Sequence, residues 1–261
     1  MKKVIVLISD ECYLDGAKSL FYNAKNEGKW DGDFCLIANN LNNYDLSDLK
    51  KFGVNILHKN NKNEFKVKLN MFDVYFKRWD YVIYMDIDFM VFKDFNLFLN
   101  KYDTSSNNLI VDVESHEIHE YLCQGHNSDN KENSLRELHK KYDLNKLGFN
   151  SGFISFNTKI INDETLTDLL KLDEEIKYVN NHVHPNGGDQ PIFNLYFTDI
   201  HYIENHDISN SVIIRENTIA SHFCGGYKPW AKDEFSPIFG KTYKEKYYEN
   251  LNGFYEYINN L

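Results

Sequence analysis

Tyr81-Val82-Ile83-Tyr84-Met85-Asp86-Ile87-Asp88 runs from an unbroken apolar stretch straight into two carboxylates. Residues 81–85 are apolar at every position, the pattern of a strand buried on both faces in a sheet covered by helices. Asp86 and Asp88 are two residues apart, so in an extended segment both carboxylates project to the same side. Charges that emerge from the end of a hydrophobic strand are costly to desolvate unless a metal, a basic group or water receives them. One hard divalent cation can meet both oxygens. An acidic turn that caps the next element fits the same spacing, and Asp-X-Asp by itself does not choose between the two.

Upstream, residues 4–8 read as a buried strand and 15–25 as a helix with Ala17, Leu20, Phe21 and Ala24 on one face, ended by Gly28. Residues 34–38 fit a second strand, 46–51 a short helix, 54–57 a third strand and 66–76 a further helix. The alternation predicts an α/β fold with a mainly parallel central sheet flanked by helices. In such a sheet a nucleotide site is expected beyond the C-terminal strand ends. Downstream, 109–113 and 153–156 have strand character, and 163–179 is expected to be helical despite Thr165 and Thr167 near its start. Between them, 114–148 is polar and rich in His, Asn and Glu, and reads as an insertion. The tail, 242–261, is an amphipathic helix with Tyr247, Tyr248, Leu251, Phe254, Tyr255 and Ile258 as its apolar side. With no internal repeat and no Pro/Gly/Ser-rich linker, residues 1–261 are expected to form a single domain.

Composition agrees with that architecture. Of the residues, 42% are hydrophobic and 26% charged, which is a globular balance and not a disordered one. The basic, apolar start resembles a signal peptide, but it breaks at Ser9, Asp10 and Glu11 with no small-residue cleavage site. No stretch reaches the roughly 18 apolar residues that span a bilayer, so a soluble protein without an integral membrane segment is expected. Cys12, Cys35, Cys123 and Cys224 have no short paired spacing and are read as reduced thiols in a cytoplasmic compartment, Cys224 as a packing residue. A formal net charge of −10 argues against nucleic acid as a partner. Any anionic ligand must therefore be met locally, by a metal, a lysine and backbone N–H groups in one pocket.

Three further blocks follow Asp88 in order: Phe149-Asn150-Ser151-Gly152-Phe153-Ile154-Ser155-Phe156-Asn157, then Asn186-Gly187-Gly188-Asp189-Gln190-Pro191-Ile192-Phe193-Asn194, then His222-Phe223-Cys224-Gly225-Gly226-Tyr227-Lys228-Pro229-Trp230. This succession resembles the family 8 glycosyltransferases, the group that contains glycogenin and bacterial lipopolysaccharide sugar transferases. The resemblance runs from Val4 to about Trp230, outside the polar stretch, and the His222 block is its most specific part.

The resemblance implies a GT-A fold and a Mn²⁺ held by Asp86, Asp88 and His222, with diphosphate oxygens completing the coordination. Carboxylates plus one imidazole suit Mn²⁺ better than a thiolate site would. Lys228 is implied to pair with the donor phosphates, approached also by the backbone of Gly225 and Gly226, where no Cβ intervenes. The first strand-to-helix turn, with Leu7, Ser9, Asp10 and Tyr13, would hold the uracil and ribose. Lys68 and Ile87 are implied donor contacts. Ser151 is a further implied donor contact, and Asn150, Asn186, Asp189 and Gln190 would lie over the transferred sugar and near the acceptor, since amides donate and accept as hydroxyls require and a carboxylate accepts twice. Among them Asn150, Asp189 and Gln190 are the residues expected nearest the chemistry. For Asp189 a second reading is an N-cap of the following helix.

The activity implied is a retaining transfer of a hexose, glucose or galactose, from a UDP-sugar to a hydroxyl acceptor. UDP-glucose or UDP-galactose is the donor, and a glycan, lipid-linked or protein hydroxyl the acceptor, with a homodimer of the chain and self-glycosylation left open. Two alternatives stand beside it. A sugar-nucleotide nucleotidyltransferase would carry a Gly-rich basic loop after the first strand, where residues 9–15 are acidic instead. A non-catalytic nucleotide-sugar-binding module would keep the fold and lose turnover. The histidines of the polar stretch, His116, His119, His126 and His139, lack zinc-site spacing and are read as surface residues.

Overall fold

The structure, a computed structural model, describes residues 1–62, 64–123, 129–176, 188–204, 206–210, 214–225 and 227–261. The first half runs β1 (Lys3–Ser9), α1 (Leu14–Asn26), β2 (Asp33–Asn39), α2 (Ser47–Lys51), β3 (Val54–Lys59), α3 (Glu64–Val67) and β4 (Tyr81–Met85). It continues with β5 (Phe89–Val91), α4 (Phe95–Lys101), β6 (Leu109–Glu117), α5 (Ile118–Cys123), α6 (Asp129–Lys141), β7 (Leu147–Asn157) and α7 (Thr165–Ile176). Beyond the next described residues come α8 (Gln190–Tyr196), β8 (Ile200–Tyr202), β9 (Ile208–Ser209), β10 (Ala220–His222), β11 (Phe235–Ser236), β12 (Lys241–Thr242) and α9 (Tyr243–Asn259).

The central sheet has the order β3-β2-β1-β4-β7-β6-β8. Its pairs are parallel except those made by β7, which runs antiparallel to both β4 and β6. The α/β class and the largely parallel sheet are therefore as the sequence alternation predicts. From β1 the chain winds out through β2 and β3 and returns as β4 on the opposite side of β1. The crevice beyond the ends of β1 and β4 is thus the topological switch point where open α/β sheets bind ligands. Because side chains alternate along a strand, Ile5 and Leu7 enter one apolar layer, with α1 and α9, while Val4 and Val6 enter the other, with Phe72, Phe156 and Phe193. Within β4, Ile83 and Met85 likewise join the first layer, and Val82 and Tyr84 the second.

Three expectations are corrected. Residues 66–76 are not one helix: α3 ends at Val67 and two 3₁₀ turns follow, Lys68–Phe72 and Val74–Arg78. Asp73 breaks them apart, extended at φ −67° and ψ 143°, with its carboxylate accepting from the Tyr75 N–H at 2.8 Å. Such local side-chain bonding competes with helix continuation. The strand expected at 153–156 begins at Leu147, since β6 extends to Glu117 and offers it a partner across two register shifts. Cys224 is exposed and not packed. The helix expected over 163–179 is α7, and 177–179 lie outside the described residues. At the C-terminus Thr242 and Glu245 form a reciprocal capping box that starts α9. Among the described residues no helix is long and apolar enough to cross a membrane.

Candidate functional site

β4 delivers Asp86 to the crevice. Its N–H donates to the Gly152 carbonyl at 2.8 Å, the last bond before the chain turns away, and the Phe89 N–H then closes a turn on the Asp86 carbonyl at 3.2 Å. The segment continues as β5, which pairs antiparallel with β10 and sets His222 opposite Phe89. Their rings stack at 4.9 Å and 4°. The Phe223 N–H donates to the Asp88 carbonyl at 2.9 Å, so a three-residue ladder carries His222 to the aspartates. Asn23 of α1 secures the outer edge, donating to the Val91 carbonyl at 3.1 Å and accepting from its N–H at 2.6 Å.

His222 Nε2 lies 3.1 Å from Asp88 Oδ1 and 3.6 Å from Asp86 Oδ2. One ligand atom from each of the three residues falls within 4.8 Å of the others, the single such group among the described residues. On its other side His222 Nδ1 is 3.0 Å from Asn210 Oδ1; an Nδ1–H donating there would leave Nε2 free to ligate a cation held by the carboxylates. An acceptor beside the far ring nitrogen is the usual companion of a metal-bound imidazole. Two carboxylate oxygens and an imidazole nitrogen make a donor set that fits a divalent ion such as Mn²⁺. Gly152 makes room for the ring: a Cβ there would stand 2.5 Å from His222 Nδ1 and Cε1. The motif's glycine is thus required by sterics and not by its own backbone angles.

Two lysines and a tyrosine hold the aspartates. Lys228 pairs with Asp88 Oδ2. Burial raises the Asp88 pKa, but the hydrogen bonds and charges of His222 and Lys228 outweigh it and bring the carboxyl to about 2. Lys68 is nearly buried and reaches Asp86 Oδ1 at 3.0 Å and Asp189 Oδ2 at 3.1 Å. Burial opposes its charge, yet Asp189 and Asp86 prevail and keep the ammonium protonated beyond the ordinary lysine range. The Tyr84 hydroxyl donates to Asp86 Oδ1. Asp189 sits at the N-cap position of α8 without a side-chain cap bond, so its carboxylate serves the Lys68 ion pair and not the helix. Its Oδ2 is buried with no partner in hydrogen-bond geometry.

These groups border a cavity of about 250 Å³ between β1 and β4. Of the residues singled out from sequence, Ser9, Asp10, Tyr13, Lys68, Asp86, Ile87, Asp88 and Lys228 line it. Asp10 also accepts from the Cys12 N–H at 3.0 Å, fixing the turn that presents Tyr13. Trp230 packs beside Tyr13 in the same lining, ring centroids 6.1 Å apart. Asn150, Ser151 and Gln190 adjoin on the β7 side. Asn150 donates to Glu114 Oε1 at 2.8 Å and accepts from the Gly152 N–H at 2.7 Å, while the Ser151 N–H donates to Gln190 Oε1 at 3.3 Å. Leu7 is not part of the lining; its side chain is fully buried in the core. Gly225 has φ 65°, a left-handed conformation that favours glycine. Asn186 and Gly226 lie outside the described residues. His116, beside Glu120, and His139 are exposed, whereas His119, beside Glu117, is half-buried with its Nδ1 covered; His126 lies outside the described residues.

Sequence reasoning missed Tyr84, Asn210 and Asp112. Tyr84 stands two before Asp86 on the same face, a spacing that points at it. Asp112 is a lone carboxylate in an otherwise apolar strand, paired in register with Asn150. Burial, then the nearby Glu114 charge, push its pKa up to about 7, with His222 acting against them. A carboxylate interrupting a hydrophobic run is the signal that could have marked it. Asn210 has no such signal, being fixed only by where β9 meets β10.

The crevice, the mixed sheet and the acidic group at its edge define a GT-A-like α/β fold. Structural comparison agrees. An active-site mutant of LgtC superposes with TM-score 0.67 at 15% identity, covering 96% of this chain and 95% of that one. The glycosyltransferase GlyE of Streptococcus pneumoniae TIGR4 superposes with TM-score 0.64 at 17% identity, over 99% of this chain and 63% of GlyE. The galactosyltransferase LgtC in complex with donor and acceptor sugar analogues gives 0.62 at 16% identity, covering 96% of this chain and 95% of that one. No curated protein sequence matches the chain significantly. The model of the family described as "Glycosyl transferase family 8" matches residues 5–234, and the chain belongs to that family.

Proposed function

We propose that this glycosyltransferase is a Mn²⁺-dependent, retaining hexosyltransferase that moves glucose or galactose from UDP to a hydroxyl acceptor. The observation that carries the reading is the convergence of Asp86, Asp88 and His222 within 4.8 Å, with both aspartates lining a cavity that Lys228 lines as well. Mn²⁺ bound by these three would act as a Lewis acid toward the departing diphosphate.

The protein's own groups supply the rest. Tyr13, with Trp230 behind it, offers a ring to the uracil, and Ser9 and Asp10 offer polar partners to base and ribose. Lys228 balances the phosphate charge that grows as the anomeric bond breaks. Asp189, held in place through Oδ2 by Lys68 at 3.1 Å, accepts from sugar hydroxyls with the lone pairs that remain. Gln190 already accepts through Oε1 from the Ser151 backbone, which leaves its amide N–H groups for the sugar. An amide is a poor nucleophile, so attack comes from the acceptor oxygen on the face the diphosphate leaves. The new C–O bond forms as the bond to phosphate oxygen breaks, and the acceptor proton passes to the UDP oxygen. Asn150, tied to Glu114, joins this sugar side to segment 114–148, which we assign to shaping the acceptor pocket.

Calorimetry of the purified protein with UDP tests the first step. Binding that needs Mn²⁺ and vanishes in EDTA is expected, followed by UDP release from UDP-glucose or UDP-galactose. Absence of metal-dependent binding by any uridine nucleotide would overturn the proposal. Mass spectrometry after incubation with donor reads any hexose added to the chain itself.

A further inference from the structure

A second and larger depression, about 770 Å³, opens between the C-terminal part of α1 and the outer face of α9. None of its lining residues borders the donor cavity. Gly16, whose side packs toward Ile87 and Trp230, and Asn26, on the groove wall, are about 15 Å apart along α1 at 1.5 Å per residue. The groove is thus a helix length away from the aspartates.

Its chemistry is selective. The charged groups of the wall are largely matched: Asp233 with Lys244 at 3.3 Å, Lys246 with Glu27 at 2.8 Å and Glu249 at 3.8 Å, and Glu245 in the capping box with Thr242. What the groove presents beyond these pairs is the Glu256 carboxylate together with amides and aromatic faces, Asn26, Asn250 and Asn252 beside Tyr22 and Tyr248. Asn250 is 2% exposed, and its Oδ1 is buried without a hydrogen-bond partner. An acceptor left unsatisfied in a native interior is costly unless a ligand or water supplies the donor. Gly253 adds a built feature. Glycine in a helix interior is unfavourable, yet a Cβ here would stand 2.5 Å from the Tyr22 ring, so the glycine makes room for that ring in the groove.

We propose that this groove is a second binding site for a neutral oligosaccharide. Amides serve as both donors and acceptors to hydroxyl groups, tyrosine rings take the apolar faces of pyranoses, and the Asn250 Oδ1 meets one hydroxyl donor. Anionic ligands are disfavoured, because the lining carries Asp233, Glu245, Glu249 and Glu256 against Lys244 and Lys246. Cationic ligands gain little, because several of those carboxylates already have partners within the wall. A site of this kind holds a glycan chain away from the reacting end without taking part in the chemistry.

The test is direct binding of maltoheptaose and of a β-1,4-galacto-oligosaccharide, by calorimetry and saturation-transfer NMR. It is run in EDTA without nucleotide, so the outcome does not depend on the proposed transferase activity. At least one should bind, and saturating UDP with Mn²⁺ should not displace it. Tyr248→Ala and Asn252→Ala, both exposed, and Asn250→Leu should each weaken binding about tenfold, with melting temperatures reported alongside. The proposal is overturned if neither oligosaccharide binds at about 50 mM, well above the millimolar constants of weak recognition. Competition by UDP, indifference to all three substitutions, or preferential binding of spermidine reversed by Glu256→Gln would overturn it as well.

Discussion

Asp86 and Asp88 are separated by one residue and belong to different substructures. Asp86 is anchored to the central sheet, through the Gly152 carbonyl, the Tyr84 hydroxyl and the Lys68 ammonium, and its side chain stays 26% exposed. Asp88 is anchored to the small sheet of β5, β10 and β9, through His222, Lys228 and the Phe223 N–H, and its side chain is 6% exposed. A cation shared by the pair would therefore tie two sheets together at the point where the chain passes between them. The buried, doubly paired aspartate would define the position of such an ion, and the more exposed one would complete its coordination.

If that division holds, variants on the Asp88 side have the largest effect. His222→Ala and Asp88→Asn are each expected to reduce turnover by about 100-fold or more, with Mn²⁺-dependent UDP binding lost and the circular dichroism spectrum unchanged. Equal loss from a substitution at an exposed, unrelated carboxylate such as Asp163 would sink the assignment.

The central-sheet side carries the next largest effect, in stability. Asp112 is pushed to about 7 by burial and by Glu114, against an ordinary value of 3.8, so the folded state binds a proton that the unfolded chain has released. Stability is then full below the unfolded value and falls as pH rises through about 7. The loss is on the order of 2–4 kcal/mol. In metal-free protein, Asp112→Asn should raise the melting temperature at pH 8 and leave it unchanged at pH 4. A variant curve parallel to wild type across that range would remove Asp112 as the cause.

Gly152→Ala probes the contact between the two sides. The new methyl would meet the His222 ring at 2.5 Å, so the imidazole must shift from the carboxylates. Mn²⁺ affinity should fall about 100-fold, at the upper end of what supporting residues contribute. Recovery of affinity in Gly152→Ala by a second substitution, Phe89→Leu, which gives the ring space to retreat, would assign the loss to sterics.

How much of this was legible in the sequence follows the length of the elements. The β-α-β-α-β run and β4 are long apolar patterns, and their period reveals them. The convergence of Asp86 and Asp88 with His222 is legible through block order and not through strands, because β5 and β10 are too short to show alternation. The sequence marks Lys68 only by resemblance, because its ion pairs with Asp86 and Asp189 depend on a turn that the apolar pattern of 66–76 disguises as helix. Asn210, which orients His222, sits in a stretch where nothing local marks it. Pairwise geometry across the sheet edge is invisible to one-dimensional periodicity.

The smallest effect is expected from Tyr84→Phe, and it bears most directly on how Asp86 is aimed. Tyr84 occupies Oδ1 of Asp86, and His222 Nε2 faces Oδ2 at 3.6 Å, so the hydroxyl selects which oxygen is turned to the ion. Burial, reinforced by Asp86, raises the phenol well above its ordinary value and keeps it a donor throughout the working pH range. Losing one charge-assisted bond while the ring still packs should weaken Mn²⁺ binding about tenfold. Tyr81→Phe is the matched control: an equally buried tyrosine on the same strand whose hydroxyl donates to Ser155 Oγ at 3.1 Å, on the other face of the sheet. Calorimetry should separate the two variants, with Tyr81→Phe retaining wild-type metal affinity. Were both to bind Mn²⁺ alike, the Tyr84 hydroxyl would be a packing detail, and Asp86 would be aimed by Lys68 and the backbone alone.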